Sequence, residues 1–194
     1  MITSIRLASV AVAASIALVA CSPATDDPTT EPSSEPTVST AQPSASAQPI
    51  ADEPTVDPAD APDKLQFTAT TLDGQAFEGT SIYGTPTILW FWASWCPVCQ
   101  AEAPAIVAAI EQLPEGVQII GVPGRSGQAE MEAFVAKYGL GDTVQIVDDD
   151  GRLWSNFGVA SQPAVGLVDS DGSVRIIPGS VGTSALVEAA KDLT

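Results

Sequence analysis

Residues 87–104 have the sequence TILWFWASWCPVCQAEAP, in which an apolar run is followed by two cysteines and then by a helical pattern. The apolar run ends at Trp92, and a Pro-Val pair separates Cys96 from Cys99. This order predicts a buried strand that leads into the first turn of a helix. Proline is tolerated best at the first helical position, because its missing N–H would have no partner inside the helix. We therefore expect the rest of the domain to be organised around this strand–helix junction.

The spacing C-x-x-C at such a junction is typical of a redox-active pair rather than of a structural disulfide. The free N–H groups at a helix N-terminus, together with the helix dipole, would stabilise a thiolate at Cys96. Because the intervening loop is short, Cys99 stays close enough to attack a mixed disulfide formed on Cys96. We therefore predict that Cys96 is the nucleophile, that Cys99 is the resolving cysteine, and that the pair alternates between dithiol and disulfide.

The segment FWASWCPVCQAEAP resembles the active-site signature of the thioredoxin-like TlpA/ResA/DsbE family, F-W-A-x-W-C-x-x-C followed by a glutamate and a proline, here Glu102 and Pro104. LQFTATTLDG at 65–74 and QPA at 162–164 resemble the same family, and most of all its secreted DsbE-like branch in mycobacteria and other actinobacteria. The resemblance extends from about Leu65 to the C-terminus. It implies an α/β thioredoxin fold, with a central mixed sheet flanked by helices and an N-terminal β-hairpin extension.

The order of the predicted elements agrees with that fold, and two Asp-Gly pairs predict hairpin turns. The predicted strands cover residues 65–71, 75–77, 87–92, 117–122, 144–147, 164–169 and 174–177. The predicted helices cover residues 97–113, 128–138, 152–157 and 184–192, the last of them capped by Thr183.

Glu102 is the first additional candidate for the site, because a residue three positions after Cys99 lies on the same helical face. A carboxylate there could accept the proton of Cys99, and its charge would raise the pKa of that thiol. Similar proteins carry a glutamate with this role, and the alternative is an exposed helix glutamate. Cytoplasmic thioredoxins have a buried aspartate six residues before the first cysteine, but this chain has Trp90. The missing aspartate places more of the proton transfer on Glu102.

The resemblance also implies a substrate-binding surface. Thioredoxin-like proteins hold a cis-proline opposite the C-x-x-C, and Pro163 occupies the matching position before the predicted strand 164–169. Its expected roles are to expose the Gln162 backbone to a substrate peptide and to shield the cysteines from metal; the alternative is a simple strand-entry proline. Trp95, just before Cys96, is expected to line the same surface, whereas Trp92 is expected to be core.

Residues 1–20 are predicted to be a signal peptide, because Arg6 is their only charged residue and the apolar run 7–19 is shorter than the about 20 residues of a membrane span. The run ends in Leu-Val-Ala-Cys, which resembles a bacterial lipobox and implies lipidation of Cys21. Lipidation would also remove the one odd thiol among three cysteines. The alternatives are a conventional signal peptide that happens to end near a cysteine, or an uncleaved anchor.

Residues 21–63 are predicted to be a disordered, lipidated tether, because they are rich in Pro, Ser, Thr and Asp and contain no aromatic residue. As a flexible coil, the tether would span about 35–40 Å. Residues 64–194 have the length of a single domain, which we predict to be thioredoxin-like. The chain is therefore expected to be exported and lipid-anchored to the outer face of the cytoplasmic membrane, in the cell envelope.

Charge and motifs exclude several classes of partner. The formal net charge of −17 argues against nucleic acid. No phosphate loop, dinucleotide fingerprint or metal-ligand cluster is present in the sequence, so we predict neither a cofactor nor a bound metal. The run Asp-Asp-Asp-Gly at 148–151 lacks the ligand spacing of an EF-hand loop and is predicted to be a turn.

Three classes of function remain. The first is an extracytoplasmic thiol–disulfide oxidoreductase that donates disulfides to exported proteins and is reoxidised by a quinone-linked membrane partner. Its reverse is a membrane-tethered thiol reductase, acting for example in cytochrome c maturation and supplied by a CcdA-type reductant. The second class is a copper-binding module of the Sco type, although the chain has no histidine. The third is a structural lipoprotein with an inactive site. We favour disulfide donation.

Overall fold

The structure is a computed structural model and describes residues 57–193. The predicted signal peptide, the lipidation site at Cys21 and most of the predicted tether therefore lie outside the described residues. Within residues 57–193, no helix combines the length and the apolar character that crossing a membrane requires.

The central sheet is built on β3 (Thr87–Trp92), all six residues of which are buried. It pairs in parallel with β4 (Gln118–Pro123) and antiparallel with β6 (Ala164–Val168). The antiparallel partner of β6 on its other side is β7 (Val174–Pro178). The strand order β4-β3-β6-β7 confirms the predicted mixed sheet of the thioredoxin fold.

The predicted N-terminal hairpin is also present. It consists of β1 (Thr68–Thr71) and β2 (Ala76–Glu78), which pair antiparallel. On its other side β1 pairs with a short strand, β5 (Ile146–Val147), so the hairpin belongs to a second, three-stranded sheet. Two isolated parallel bridges connect the region around β5 to β4: Gly121 with Gln145, and Gly124 with Asp148.

Four α-helices complete the domain: α1 (Pro97–Ile110), α2 (Gln128–Tyr138), α3 (Arg152–Phe157) and α4 (Thr183–Lys191). The predicted bounds of α2 and α3 are confirmed, but α1 ends three residues earlier than predicted. The prediction that Thr183 caps α4 is wrong, because Gly182 is the N-cap. The Thr183 hydroxyl instead donates to the carbonyl of Ala105 in α1, at 3.0 Å.

The two faces of β3 enter two separate clusters of buried side chains. Trp90 and Trp92 pack with residues of α1, α2 and α4, whereas Leu89 and Phe91 pack with residues of α3 and of the N-terminal segment. This alternation is the ordinary period of a strand. Because both faces of β3 are covered, the strand is apolar at nearly every position. The prediction that Trp92 is a core residue is confirmed.

The domain includes residues that composition assigned to the tether. A 3-10 helix covers Pro58–Asp60, and Ala61 is buried in the same cluster as Leu65 and Phe91. One small apolar side chain in a polar, proline-rich segment does not stand out in composition. For this reason the composition boundary at Lys64 lies inside the packed part of the chain.

Candidate active site

The C-x-x-C segment lies at the predicted junction, between the end of β3 and the start of α1. Cys96 is the N-cap residue of α1, and Pro97 is its first residue. The backbone N–H of Cys99 donates to Sγ of Cys96, with a distance of 3.3 Å between nitrogen and sulfur. A side-chain acceptor at the N-cap normally satisfies one of the unpaired N–H groups of the first turn. In this chain, the sulfur of Cys96 takes that place.

The two cysteines are both free thiols but have different surroundings. Cys96 keeps 4% of its surface exposed, whereas Cys99 is fully buried. Burial raises the pKa of the Cys99 thiol far above its ordinary value, and its hydrogen bond to Cys96 and the charges of Cys96 and Glu102 raise the pKa further. At neutral pH Cys99 is therefore held as the neutral thiol.

Glu102 is buried, with only 4% of its surface exposed, so the alternative of an exposed helix glutamate is wrong. Its Oε2 accepts a hydrogen bond from the indole N–H of Trp90, at 2.9 Å. Its Oε1 accepts one from the backbone N–H of Val181, at 2.6 Å. Hydrogen bonds to a charged acceptor are the stronger kind. The carboxylate therefore joins the central strand, the active-site helix and the segment that precedes α4.

Trp90 is the functional neighbour that sequence reasoning missed. The sequence identifies it only as the residue that replaces an aspartate, and not as a donor to Glu102. The strand period does place Trp90 on the same face as Trp92, and the two rings stack with centroids 5.7 Å apart. The sequence therefore predicts which face of β3 carries Trp90, but it does not predict that the indole N–H donates to Glu102.

An apolar surface flanks Cys96 on both sides in sequence. The side chains of Trp95 and Val98 are exposed to 55% and 49%, which is unusual for large apolar residues in this domain. The indole N–H of Trp95 donates to the backbone carbonyl of Arg125, at 2.7 Å. The ring is therefore held in place while its faces remain accessible.

Pro163 lies at the same end of the central sheet. The Gln162–Pro163 peptide bond is cis, as predicted. The next residue, Ala164, begins β6 and pairs with Phe91 near the end of β3 that leads to Cys96. The side-chain Oε1 of Gln162 is buried and has no hydrogen-bond partner. The register of β6 thus brings two of the predicted substrate-binding residues towards the cysteine pair.

The loop after β4 supports the segment before Cys96. The contacts between them were not predicted from the sequence. The hydroxyl of Ser126 accepts a hydrogen bond from the backbone N–H of Ser94, at 2.9 Å. The N–H of Gly124 donates to the carbonyl of Trp92, at 3.0 Å. Serine and glycine in a loop are too common in sequences for their positions to have indicated these contacts.

No group of three or more potential metal ligands comes together within residues 57–193.

The acidic run at 148–151 is a turn that supports a helix. Both carboxylate oxygens of Asp148 accept backbone hydrogen bonds, from Leu153 at 3.1 Å and from Trp154 at 2.9 Å. Asp148 thus satisfies N–H groups at the start of α3.

Trp90→Phe and Trp92→Phe are a matched pair of substitutions, because both remove an indole N–H from a buried position on one face of β3. Trp90 donates to a carboxylate and Trp92 to the amide oxygen of Gln145. A hydrogen bond to a charged group contributes about 1.5–3 kcal/mol, and one to a neutral group about 0.5–1.5 kcal/mol. We expect Trp90→Phe to lower the free energy of unfolding by about 1 kcal/mol more than Trp92→Phe, measured by urea titration. Equal losses would contradict a special contribution from Glu102.

Comparisons with known proteins agree with this geometry. A family model described as the AhpC/TSA family matches residues 59–177, more than half of the chain. The soluble secreted antigen MPT53 of Mycobacterium tuberculosis is 41% identical over 117 residues, which cover 60% of this chain and 66% of MPT53. The aligned segment therefore spans slightly less than two thirds of that relative.

Two further similarities extend over more of the related protein. The thiol-disulfide oxidoreductase ResA of Bacillus thuringiensis is 32% identical over 130 residues, which cover 66% of this chain and 75% of ResA. The solved structure of DsbF from M. tuberculosis, in mixed oxidised and reduced forms, has a TM-score of 0.67 and 42% identity, and the match covers 69% of this chain and 99% of DsbF. Together with the cysteine pair at the strand–helix junction and the AhpC/TSA match, these similarities show that the chain belongs to the thioredoxin-like TlpA/ResA/DsbE family of thiol–disulfide oxidoreductases.

Proposed function

We propose that this chain is an extracytoplasmic thiol–disulfide oxidoreductase that donates disulfides to exported proteins through Cys96 and Cys99. The observation that carries the proposal is the position of Cys96 at the N-cap of α1, where its sulfur accepts the N–H of Cys99. A thiolate at this sulfur is stabilised by the hydrogen bond and by the helix dipole. Cys99, by contrast, is a buried neutral thiol. The sulfur of Cys96 is therefore suited to act as nucleophile and as leaving group, and the sulfur of Cys99 is suited to resolve the mixed disulfide.

In the donating direction, a substrate thiolate attacks Sγ of Cys96 in the Cys96–Cys99 disulfide. The bond between the two cysteines breaks, a substrate–Cys96 disulfide forms, and Cys99 leaves as a thiolate that takes up a proton. A second substrate thiolate then attacks the substrate sulfur of the mixed disulfide, and Cys96 leaves as a thiolate. The substrate loses two electrons and gains a disulfide, while the protein ends as the dithiol.

Glu102 has a proposed role in the proton transfers at Cys99. The two side chains lie three residues apart on α1, and the carboxylate raises the pKa of the Cys99 thiol. Each carboxylate oxygen already accepts one hydrogen bond, but an ionised carboxylate has about four acceptor positions. Glu102 therefore keeps the capacity to accept the Cys99 proton when Cys99 attacks a mixed disulfide in the reverse direction.

Trp95, Gln162 and Pro163 form the proposed substrate-binding surface. Trp95 supplies an exposed apolar face beside Cys96, which suits an unfolded polypeptide better than a small polar thiol. Gln162 and Pro163 precede β6 at the same end of the sheet. An extended substrate segment would lie between the two sides, with its cysteine over Cys96.

The proposed direction follows from the stabilisation of the reduced form. Interactions that favour the Cys96 thiolate favour the dithiol, raise the reduction potential and make the disulfide the reactive state. Reduction of disulfides to thiols, which the sequence resemblance to the TlpA/ResA type implies, is the second candidate; ResA, at 32% identity, is described as a thiol-disulfide oxidoreductase. A copper module of the Sco type has less support, because the chain has no histidine to act as a ligand.

The proposed setting is the outer face of the cytoplasmic membrane. The predicted signal peptide, lipidated Cys21 and tether would place the domain there, and the related MPT53 is described as secreted. The redox partner would be a quinone-linked oxidant for disulfide donation, or a CcdA-type reductant for the opposite direction.

We expect palmitate to label the wild-type chain in cells, and Cys21→Ala to abolish the label. A Cys21→Ala protein that is still labelled would contradict the anchor.

The central experiment measures the reduction potential of the chain against glutathione buffers. A disulfide donor should have a reduction potential of about −120 to −180 mV, whereas a reduction potential at or below about −240 mV would favour the reductase. When reduced and mixed with a substrate that contains a disulfide, a Cys99→Ser variant should accumulate a mixed disulfide: the Cys96 thiolate attacks the substrate disulfide, one substrate sulfur leaves as a thiolate, and a serine hydroxyl cannot resolve the product. Under the same conditions, Cys96→Ser should accumulate none. Equal trapping by both variants would contradict the assignment of Cys96 as the attacking cysteine.

Glu102→Gln tests the charge beside Cys99. Because the carboxylate raises the pKa of the Cys99 thiol, its removal should lower that pKa. In a Cys96→Ser background, alkylation of Cys99 should therefore reach half of its maximal rate at a lower pH. Glu111→Gln, at the C-terminal end of α1, is the control and should leave the alkylation profile unchanged. A profile unaffected by Glu102→Gln would remove Glu102 from the mechanism.

A further inference from the structure

Arg125 has an unusual backbone and lies in the loop between β4 and α2. Its φ of 54° makes it the one non-glycine residue with positive φ within residues 57–193. Left-handed backbone is uncommon for a long side chain and persists only where surrounding contacts hold it. Two of the contacts of this residue are with segments that carry proposed site residues.

Three interactions hold Arg125, one of them with the residue that precedes Cys96. Its backbone carbonyl accepts the indole N–H of Trp95, at 2.7 Å. Its guanidinium lies over the ring of Trp154, 5.0 Å from the ring centroid. One guanidinium N–H donates to the carbonyl of Ala160, at 3.4 Å, in the segment that leads to Pro163. The backbone of Arg125 therefore contacts Trp95, while its cation contacts the segment that leads to Pro163.

The charge of Arg125 is not neutralised by the domain. Elsewhere in the domain, Arg152 pairs with Asp150 at 2.9 Å and Lys191 pairs with Glu188 at 2.8 Å. No aspartate or glutamate of residues 57–193 forms an ion pair with Arg125, in a chain whose net charge is −17. A guanidinium has five N–H donors, so one hydrogen bond to Ala160 leaves donors available for a ligand.

We propose that Arg125 is a specificity-determining residue that selects substrate segments with an aspartate or glutamate near the reacting cysteine. A carboxylate on a segment that passes between Trp95 and Pro163 would reach the guanidinium and pair with it in the fork geometry that arginine favours. Because the chain has a net charge of −17, Arg125 would also reduce the repulsion of acidic substrates. This inference rests on the proposed function and names the class of substrate.

The test uses three peptides of equal length that contain one cysteine flanked by Glu, Gln or Lys. Stopped-flow tryptophan fluorescence follows their reaction with the oxidised full chain. Each rate is divided by the rate of the same peptide with a small uncharged disulfide, because flanking charges change the reactivity of the peptide thiol itself. Exposed ion pairs contribute about 0.2–1 kcal/mol. We therefore expect a corrected Glu-to-Gln rate ratio of about 1.4 to 5, which falls as salt is added.

Substitution of the arginine should remove this preference. Arg125→Gln should bring the corrected Glu-to-Gln ratio to about one, and Arg125→Glu should make the Lys peptide the fastest of the three. Arg175→Gln is the matched control and should keep the wild-type ratio. Arg175 lies on β7, opposite Leu167 of β6, near the end of the central sheet that is farther from the cysteines. The reversal in Arg125→Glu distinguishes charge recognition from a loss of support for Trp95.

Two results would overturn the inference. A wild-type ratio of about one would show that the site does not recognise the carboxylate, and a ratio unchanged in Arg125→Gln would assign the preference to another group. If the wild-type chain reacted with none of the peptides, including the Gln peptide, the proposed function itself would fail.

Discussion

The burial of the Glu102 carboxylate is the constraint on which the arrangement of the site depends. A buried charge is costly unless every oxygen finds a donor, and here the donors come from Trp90 on the central strand and from the backbone of Val181. Strand, active-site helix and C-terminal segment must therefore be assembled together. The same carboxylate acts on the pKa of Cys99, so structural support and chemistry share one group.

The two cysteines differ mainly in their positions on α1, since both are buried. Cys96 lies at the end of the helix, where unpaired N–H groups stabilise negative charge. Cys99, one turn further, is covered by the core, where a negative charge is disfavoured. A strand buried on both faces fixes the start of the helix, and thereby fixes which sulfur lies at the N-cap.

The proposed substrate-binding surface would combine the apolar face of Trp95 with the cation of Arg125. The ring of Trp95 is exposed to solvent, and its indole N–H donates to the backbone carbonyl of Arg125. In that proposal, apolar contact would bind extended polypeptides of many sequences. A neighbouring charge would then distinguish among them, because exposed ion pairs add preference more than affinity.

The sequence by itself determined the strand–helix junction, the cysteine pair, the order of the elements and the position of Pro163, because these depend on local periodicity and on short motifs. It did not determine that Glu102 is buried, that Trp90 donates to it, that Thr183 bonds to α1 instead of capping α4, or that Ala61 joins the core. Each of these depends on which distant segment packs against the residue, and that choice is made only when the sheet and helices close on a common core.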